Sequence, residues 1–259
     1  MASTIQNVVG ADNKHRALAQ PLSRAYLPAM GIVRGLLLTS VLLVAPAAVH
    51  ADGAPTSAYV ARLRIQALLE SLNAELLSHD SATATLQRWC DERGLAPGQT
   101  IVARRVTDQA AQPDAEVLAA LQAAPGEQIG YRRVDLTCGP VVLSRAQNWY
   151  RPGRLTPQMN ARLQTTQTPF GVVVRDLGYT RRTLSATTLY HPLAEGWRRG
   201  GPTGAQALGD VAAPDIVLRH RAVLIDGTGV PFSVVVENYT AATLMEPPRS
   251  EGRGQSRLR

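Results

Sequence analysis

The chain has 259 residues and a formal net charge of +7, and aromatic residues make up only 5% of it. The charge lies at the two ends: residues 1–51 carry +3, the tail from Arg249 to Arg259 carries another +3, and the body between them carries +1. Nucleic-acid binding calls for a basic patch within a folded domain, so this distribution gives little reason to expect a DNA or RNA partner. The length fits one large domain or two small ones.

An apolar run occupies residues 35–49 near the amino end. It reads GLLLTSVLLVAPAAV, follows Arg34 and ends in a small-residue pattern around Val49-His50-Ala51. The run is too short to span a bilayer comfortably, and its shape is typical of a secretory signal. We therefore expect residues 1–51 to be a signal peptide, and the mature protein to be periplasmic or secreted. The alternatives are an N-terminal anchor, a packed helix, or a mis-set start with Met30 as the true one, in which case the protein is cytoplasmic.

The first half of the body combines helices with the start of a sheet. Leucines recur at helical spacing from residue 63 to residue 77, and Asp80 or Ser81 can cap a following helix. The predicted elements are helices at 57–78, 81–94 and 114–123, a strand at 100–107, and two strands at 129–137 and 141–151 that turn at Cys138-Gly139-Pro140.

The second half contains one helix and hairpin-linked strands. The predicted elements are a helix at 155–165 with Pro157 in its first turn, a strand pair at 171–175 and 179–188, a Gly/Pro-rich loop at 194–214, and a hairpin at 216–225 and 231–239. We expect a disordered basic tail at 247–259. The elements do not alternate as βαβ units, which favours an α+β fold with a largely antiparallel sheet.

Cys90 and Cys138 are the only cysteines. An exported protein could join them, and closing a loop of this length is worth about 4 kcal/mol in the chain-entropy model. Two small, buried apolar residues are the alternative, and both readings stay open. The five histidines are scattered, and no Cys/His cluster has metal-ligand spacing, so we expect no metal site.

An arginine pair opens the strand at 129–137. Side chains alternate between the faces of a strand, so Arg132 shares a face with Val134 and Leu136, while Arg133 shares one with Asp135. The apolar face should be the inner one. Arg132 is then the candidate for an interior anion site and Arg133 for a solvated pair, although both could be surface residues.

Two other features point to the same kind of site. Glu237 lies in an apolar strand, where a carboxylate is costly unless it is paired or used, or unless that face is exposed to water. Phe170-Gly171 forms a corner where glycine allows close backbone approach and phenylalanine offers an apolar wall, although an ordinary turn has the same sequence. Together they predict a pocket for a small anionic ligand. A second arginine pair, Arg181-Arg182, has no obvious partner, and we interpret His79-Asp80 as a helix cap.

These segments, in this order, resemble the chorismate lyase (chorismate–pyruvate lyase) family, which is related to the UTRA-type ligand-binding domains of some bacterial transcription regulators. The resemblance covers about residues 60–245. The segments that carry it are residues 76–83 leading into Leu86, the strand at 132–136, Asn148-Trp149-Tyr150, residues 154–157, the corner at 168–171 and the hairpin with Glu237.

The resemblance implies a single domain at 52–246, with a six-stranded antiparallel sheet and helices packed on it. It implies conversion of chorismate into 4-hydroxybenzoate and pyruvate without a metal or organic cofactor. Three positions carry over: Arg132 holds the ring carboxylate (Arg133 if the register shifts by one), Phe170, followed by Gly171, meets the ligand through its backbone, and Glu237 is the catalytic acid or hydrogen-bond partner at the other end.

The apparent signal departs from this family, because chorismate is made in the cytoplasm. The rival hypothesis is therefore a non-catalytic extracytoplasmic binder of a small aromatic carboxylic acid. A regulator's sensor domain is a third class, disfavoured because no helix-turn-helix precedes the domain. We expect a small aromatic or cyclic carboxylate as the partner, no stable membrane span after cleavage, and a monomer.

Overall fold

Six antiparallel strands form one sheet at the centre of the molecule, in the order β1-β2-β3-β6-β5-β4. The computed structural model describes residues 57–107, 110–200, 208–209 and 212–246. The strands are β1 Ile101–Arg105, β2 Gly130–Cys138, β3 Val141–Tyr150, β4 Thr180–Thr188, β5 Ile216–Ile225 and β6 Pro231–Thr240. The predicted α+β fold with a six-stranded antiparallel sheet is confirmed.

Five helices accompany the sheet in the described part of the chain: α1 Ser57–Ser78, α2 Ala82–Glu92, α3 Ala115–Leu121, α4 Pro157–Thr165 and α5 Phe170–Val173. The sequence explains where they begin. Ser81 Oγ accepts a hydrogen bond from the Ala84 amide at 3.2 Å and caps α2, as one of the two predicted caps. Thr156 caps α4 in the same way, and Pro157 follows in its first turn.

The two faces of the sheet are covered differently. On one face the leucines of α1 and the apolar side of α2 pack on β2, β3, β5 and β6 in a continuous core that includes Val134, Ala146, Val235 and Tyr239. On the opposite face the short helix α3 packs against Trp149 and its neighbours. The face covered by α1 and α2 therefore forms the interior, and any polar group on that face is shielded from water.

Cys90 at the end of α2 and Cys138 at the end of β2 are joined by a disulfide. Both residues are fully buried. The bond fixes the far end of α2 to the sheet, so the orientation of this helix is set by a cap at one end and a covalent link at the other.

The predicted strand at 171–175 is wrong. Its valines have high β propensity, but the backbone turns instead: the amides of Val172 and Val173 donate to the carbonyl of Pro169, and α5 is followed by a 3-10 turn, Arg175–Leu177. Burial of Val173 and Val174 in an apolar cluster with Leu163 and Phe232 overrides the local preference.

The predicted signal (1–51) and basic tail (247–259) lie outside the described residues. Among the residues that are described, no helix is long and apolar enough to cross a membrane.

Candidate functional site

A cavity lies between the face of the sheet that α1 and α2 cover and the elements packed on that face. The start of α2 and the corner at Phe170-Gly171 form its cover, and its floor comes from side chains of β2, β3, β4, β5 and β6. The empty space is about 540 Å³ when counted to the mouth, but the centre of a water molecule fits in only about 50 Å³ of it. The interior is therefore narrow, with room for only a few water molecules.

Arg132 lies at one end of this cavity, on the inner face that strand alternation predicts. It is 5% exposed, and its Nη2 donates to the carbonyls of Thr168 at 3.1 Å and Thr166 at 3.4 Å. Nε and Nη1 are buried and have no hydrogen-bond partner among the described residues. Burial and the nearby charge of Arg105 lower the pKa of Arg132 to about 10, while Tyr150 works the other way. Arg132 is thus a buried cation that has no counter-charge among the residues that the structure describes.

A second charged group occupies the β4–β6 side. Arg181 Nη2 lies 2.9 Å from Glu237 Oε2, and both side chains are almost fully buried, at 3% and 7% exposure. Tyr239 Oη donates to the same carboxylate oxygen at 2.9 Å. Burial works to lower the pKa of Arg181, but Glu237 and the two nearby tyrosines together raise it. Burial also raises the pKa of Tyr239 well above its usual value.

His220 on β5 lies next to this ion pair. It is the cross-strand partner of Glu237, its ring lies edge-on to that of Tyr239 at 5.5 Å, and its Nε2 lies 2.8 Å from Asn73 Oδ1. Burial lowers the pKa of His220 to about 4, partly offset by Glu237 and reinforced by Arg181. The imidazole is therefore neutral at neutral pH and adds no charge to the site.

The corner at Phe170-Gly171 approaches the cavity closely. A Cβ on Gly171 would lie 2.7 Å from Tyr179 Oη, so a larger residue at this position would displace the Tyr179 hydroxyl. Phe170 packs against Tyr150 and Phe232, with ring centroids 5.5 and 6.3 Å apart. Burial raises the pKa of Tyr179 although its hydrogen bond to Ser81 opposes the shift. The cover of the cavity thus consists of an apolar wall at Phe170 and the hydroxyls of Tyr179 and Ser81.

Arg132, Phe170, Gly171 and Glu237 all line this one cavity. Arg133, the alternative for a shifted register, lies on the opposite face and does not line it, because the pairing of β2 with β3 keeps the alternation unbroken from residue 130 to residue 136. Glu237 forms its ion pair with Arg181 and not with Arg132.

Among the polar residues of the cavity wall that the sequence did not identify as site residues are Asp80, Asn148 and Arg181. The Arg181-Arg182 doublet indicated a charged site, but the partner of Arg181 is Glu237 on β6. That strand lies two positions from β4 in the sheet, so the pairing depends on strand order. Asp80 Oδ1 accepts from the Arg181 backbone amide at 2.8 Å, which ties the start of α2 to β4. Among the described residues, no group of three or more His, Cys, Asp or Glu could hold a metal ion.

No family model matches the chain. A curated relative, "Uncharacterized protein y4mC" from Sinorhizobium fredii, is 44% identical over 189 residues, covering 73% of this chain and 80% of that protein. Solved structures with some likeness include PhnF from Mycobacterium smegmatis (15% identity, 65% and 67% of the two chains, TM-score 0.43) and the ligand-binding domain of a putative GntR-family transcriptional regulator from Bordetella bronchiseptica (15% identity, 56% and 86%, TM-score 0.36). We draw nothing about activity from these two, because their TM-scores are low.

Proposed function

This chain belongs to the protein family of y4mC from Sinorhizobium fredii, and we propose that it binds a small cyclic carboxylate in the cavity, anchored on Arg132. The observation that carries the proposal is the uncompensated buried guanidinium. Two of its nitrogens have no partner among the described residues, and a buried cation without one is costly. A ligand carboxylate supplies both the missing charge and the missing acceptors, worth about 1.5–3 kcal/mol in charge-assisted hydrogen bonds.

The reaction we propose is elimination of pyruvate from chorismate to give 4-hydroxybenzoate. A ring hydrogen leaves as a proton, its bonding electrons complete the aromatic ring, and the ether C–O bond breaks with its electrons on enolpyruvate. Enolpyruvate then takes up a proton to become pyruvate. No oxidant, reductant or water is consumed.

The charged groups suit the two ends of such a substrate. Arg132 on β2 and Glu237 on β6 are separated by one strand, β3, which places their strands about 10 Å apart. In the proposed complex, a six-membered ring with a carboxylate at one end spans this distance. Arg132 grips the ring carboxylate, and Arg181 faces the negative charge that develops on the departing enolpyruvyl oxygen.

Glu237 is better placed as an acceptor than as the predicted acid. It forms an ion pair with Arg181 and already accepts a hydrogen bond from Tyr239. A carboxylate held in this way can accept the ring proton, or a hydrogen bond from the ring hydroxyl. We therefore assign Glu237 the role of base or hydrogen-bond acceptor.

The second candidate is the non-catalytic binder, and the same ion pair favours it. The carboxylate of Glu237 is satisfied without a ligand, and the net buried charge of Arg132, Arg181 and Glu237 is balanced by a single monoanion. The Cys90–Cys138 disulfide and the signal-like leader support a periplasmic or secreted location. Because chorismate is made in the cytoplasm, a periplasmic or secreted protein is more readily exposed to a small aromatic acid than to chorismate.

Pyruvate release from chorismate by the purified protein separates the two candidates. The unchanged protein is compared with Glu237→Gln and with Glu116→Gln, a matched change on the exposed side of α3. The lyase is supported if the unchanged protein and Glu116→Gln release pyruvate and 4-hydroxybenzoate, while a Glu237→Gln protein that is still folded does not. Saturable binding of 4-hydroxybenzoate without turnover supports the binder. If the protein shows no turnover and no binding, the proposal as a whole is contradicted.

A further inference from the structure

Asn148 lies beside Arg132 and has no role in the function proposed above. The two residues are cross-strand partners in the pairing of β2 with β3, so their side chains leave the sheet on the same face. Both are buried, at 6% and 5% exposure, and both line the cavity.

Ser233 holds the amide of Asn148 in one orientation. Its Oγ donates to Asn148 Oδ1 at 3.0 Å, and Ser233 itself is fully buried on β6. Because Oδ1 is engaged in this bond, Nδ2 is the group that Asn148 can offer to the cavity, and an amide nitrogen only donates hydrogen bonds.

Donors therefore lie next to donors at this end of the cavity. The free Nε and Nη1 of Arg132 cannot be satisfied by Nδ2 of Asn148, since all three are donors. Buried donors require an acceptor. A carboxylate has two oxygens and only accepts, whereas a carboxamide of the same shape brings two N–H groups that would face donors.

We infer that Asn148 makes the cavity selective for a carboxylate over a neutral carboxamide of the same shape. This rests on the proposed function and deepens it: Arg132 provides the charge, and Asn148 completes a set of groups that all donate. A ligand amide then leaves one of its own N–H groups against a donor, which is the repulsive element that specificity needs.

The test measures binding of benzoate and benzamide by calorimetry, with the unchanged protein and with Asn148→Asp. The substitution replaces a donor by an acceptor at nearly constant shape and places a carboxylate beside Arg132. We expect the unchanged protein to bind benzoate at least about 10-fold more tightly than benzamide. In Asn148→Asp, benzoate should bind at least about 10-fold more weakly, benzamide should change by less than about 3-fold, and the melting temperature should rise because Arg132 gains a counter-charge.

Gln147→Glu is the matched control, because it makes the same amide-to-acid change one residue earlier, on the opposite face of β3. Both affinities should stay as in the unchanged protein. Asn148→Ser is the second variant, in case the aspartate does not fold, and should weaken benzoate binding more than benzamide binding.

The outcomes separate this inference from the function beneath it. Equal losses for benzoate and benzamide in a folded Asn148 variant would show that Asn148 only supports packing, and no loss would show that the carboxylate is held without it. Either result overturns the inference and leaves the carboxylate-binding function standing. If the unchanged protein binds neither benzoate nor 4-hydroxybenzoate, the proposed function itself fails, before any variant is measured.

Discussion

Replacing Arg132 by methionine should make the protein more stable while it loses its ligand. The fall in the pKa of Arg132 from its usual value to about 10 corresponds to a cost of about 3 kcal/mol for keeping this guanidinium charged in the fold. Because the folded-state pKa lies below the unfolded one, this cost is present in full at neutral pH and fades only above about pH 10. Loss of the hydrogen bonds to the carbonyls of Thr166 and Thr168 should take back about 1 kcal/mol each.

The expected net gain from Arg132→Met is about 1 kcal/mol, or an increase in melting temperature of about 2–4 °C for a domain of this size. Affinity for 4-hydroxybenzoate should fall about 10- to 100-fold, since the charge-assisted hydrogen bonds are lost. Thermal unfolding without ligand and calorimetric titration measure the two effects, and Arg133→Met, on the opposite face, should leave binding unchanged. A variant destabilised by more than about 1 kcal/mol would show that the guanidinium is held for structure, and the reasoning from an uncompensated charge would be wrong.

Three further changes test other parts of the site and the fold. Glu237→Gln should destabilise the protein by about 3–5 kcal/mol in denaturant titrations, because it leaves Arg181 buried without its partner; a loss under 1 kcal/mol would mean that the pair is not formed. His220→Gln should flatten the pH dependence of stability between about pH 6.5 and 4, where the folded chain excludes a proton that the unfolded chain binds and stability falls as the pH falls; an unchanged slope would contradict the buried neutral imidazole. Replacing Cys90 and Cys138 by alanine should cost about 4 kcal/mol, read as a lower melting temperature that reductant no longer changes.

Strand alternation was enough to place one half of the site from the sequence. The phase of Arg132 against Val134 and Leu136 fixed its face, and the predicted hairpin at 216–225 and 231–239 put Glu237 on the strand beside β5. These are local relations, set by backbone geometry over a few residues, and local reasoning reaches them.

The remaining half depends on sheet order. Arg181 meets Glu237 only because β4 pairs with β5 and β5 with β6, and nothing local to Arg181 specifies that neighbour. The valines at 172–174 show the same limit in the opposite direction: their β propensity is real, but burial against α4 and Phe232 decides their conformation.

The disulfide makes residues 90 to 138 a closed covalent ring, and β2 with Arg132 lies inside it. A protease that cuts the backbone once within this ring releases no fragment, because both new ends remain attached through the two sulfurs. On a denaturing gel, such a nicked chain keeps its full mass until a reductant is added. The wall of the cavity carried by α2 and the wall carried by β2 therefore stay on one molecule after a cut that would otherwise separate them.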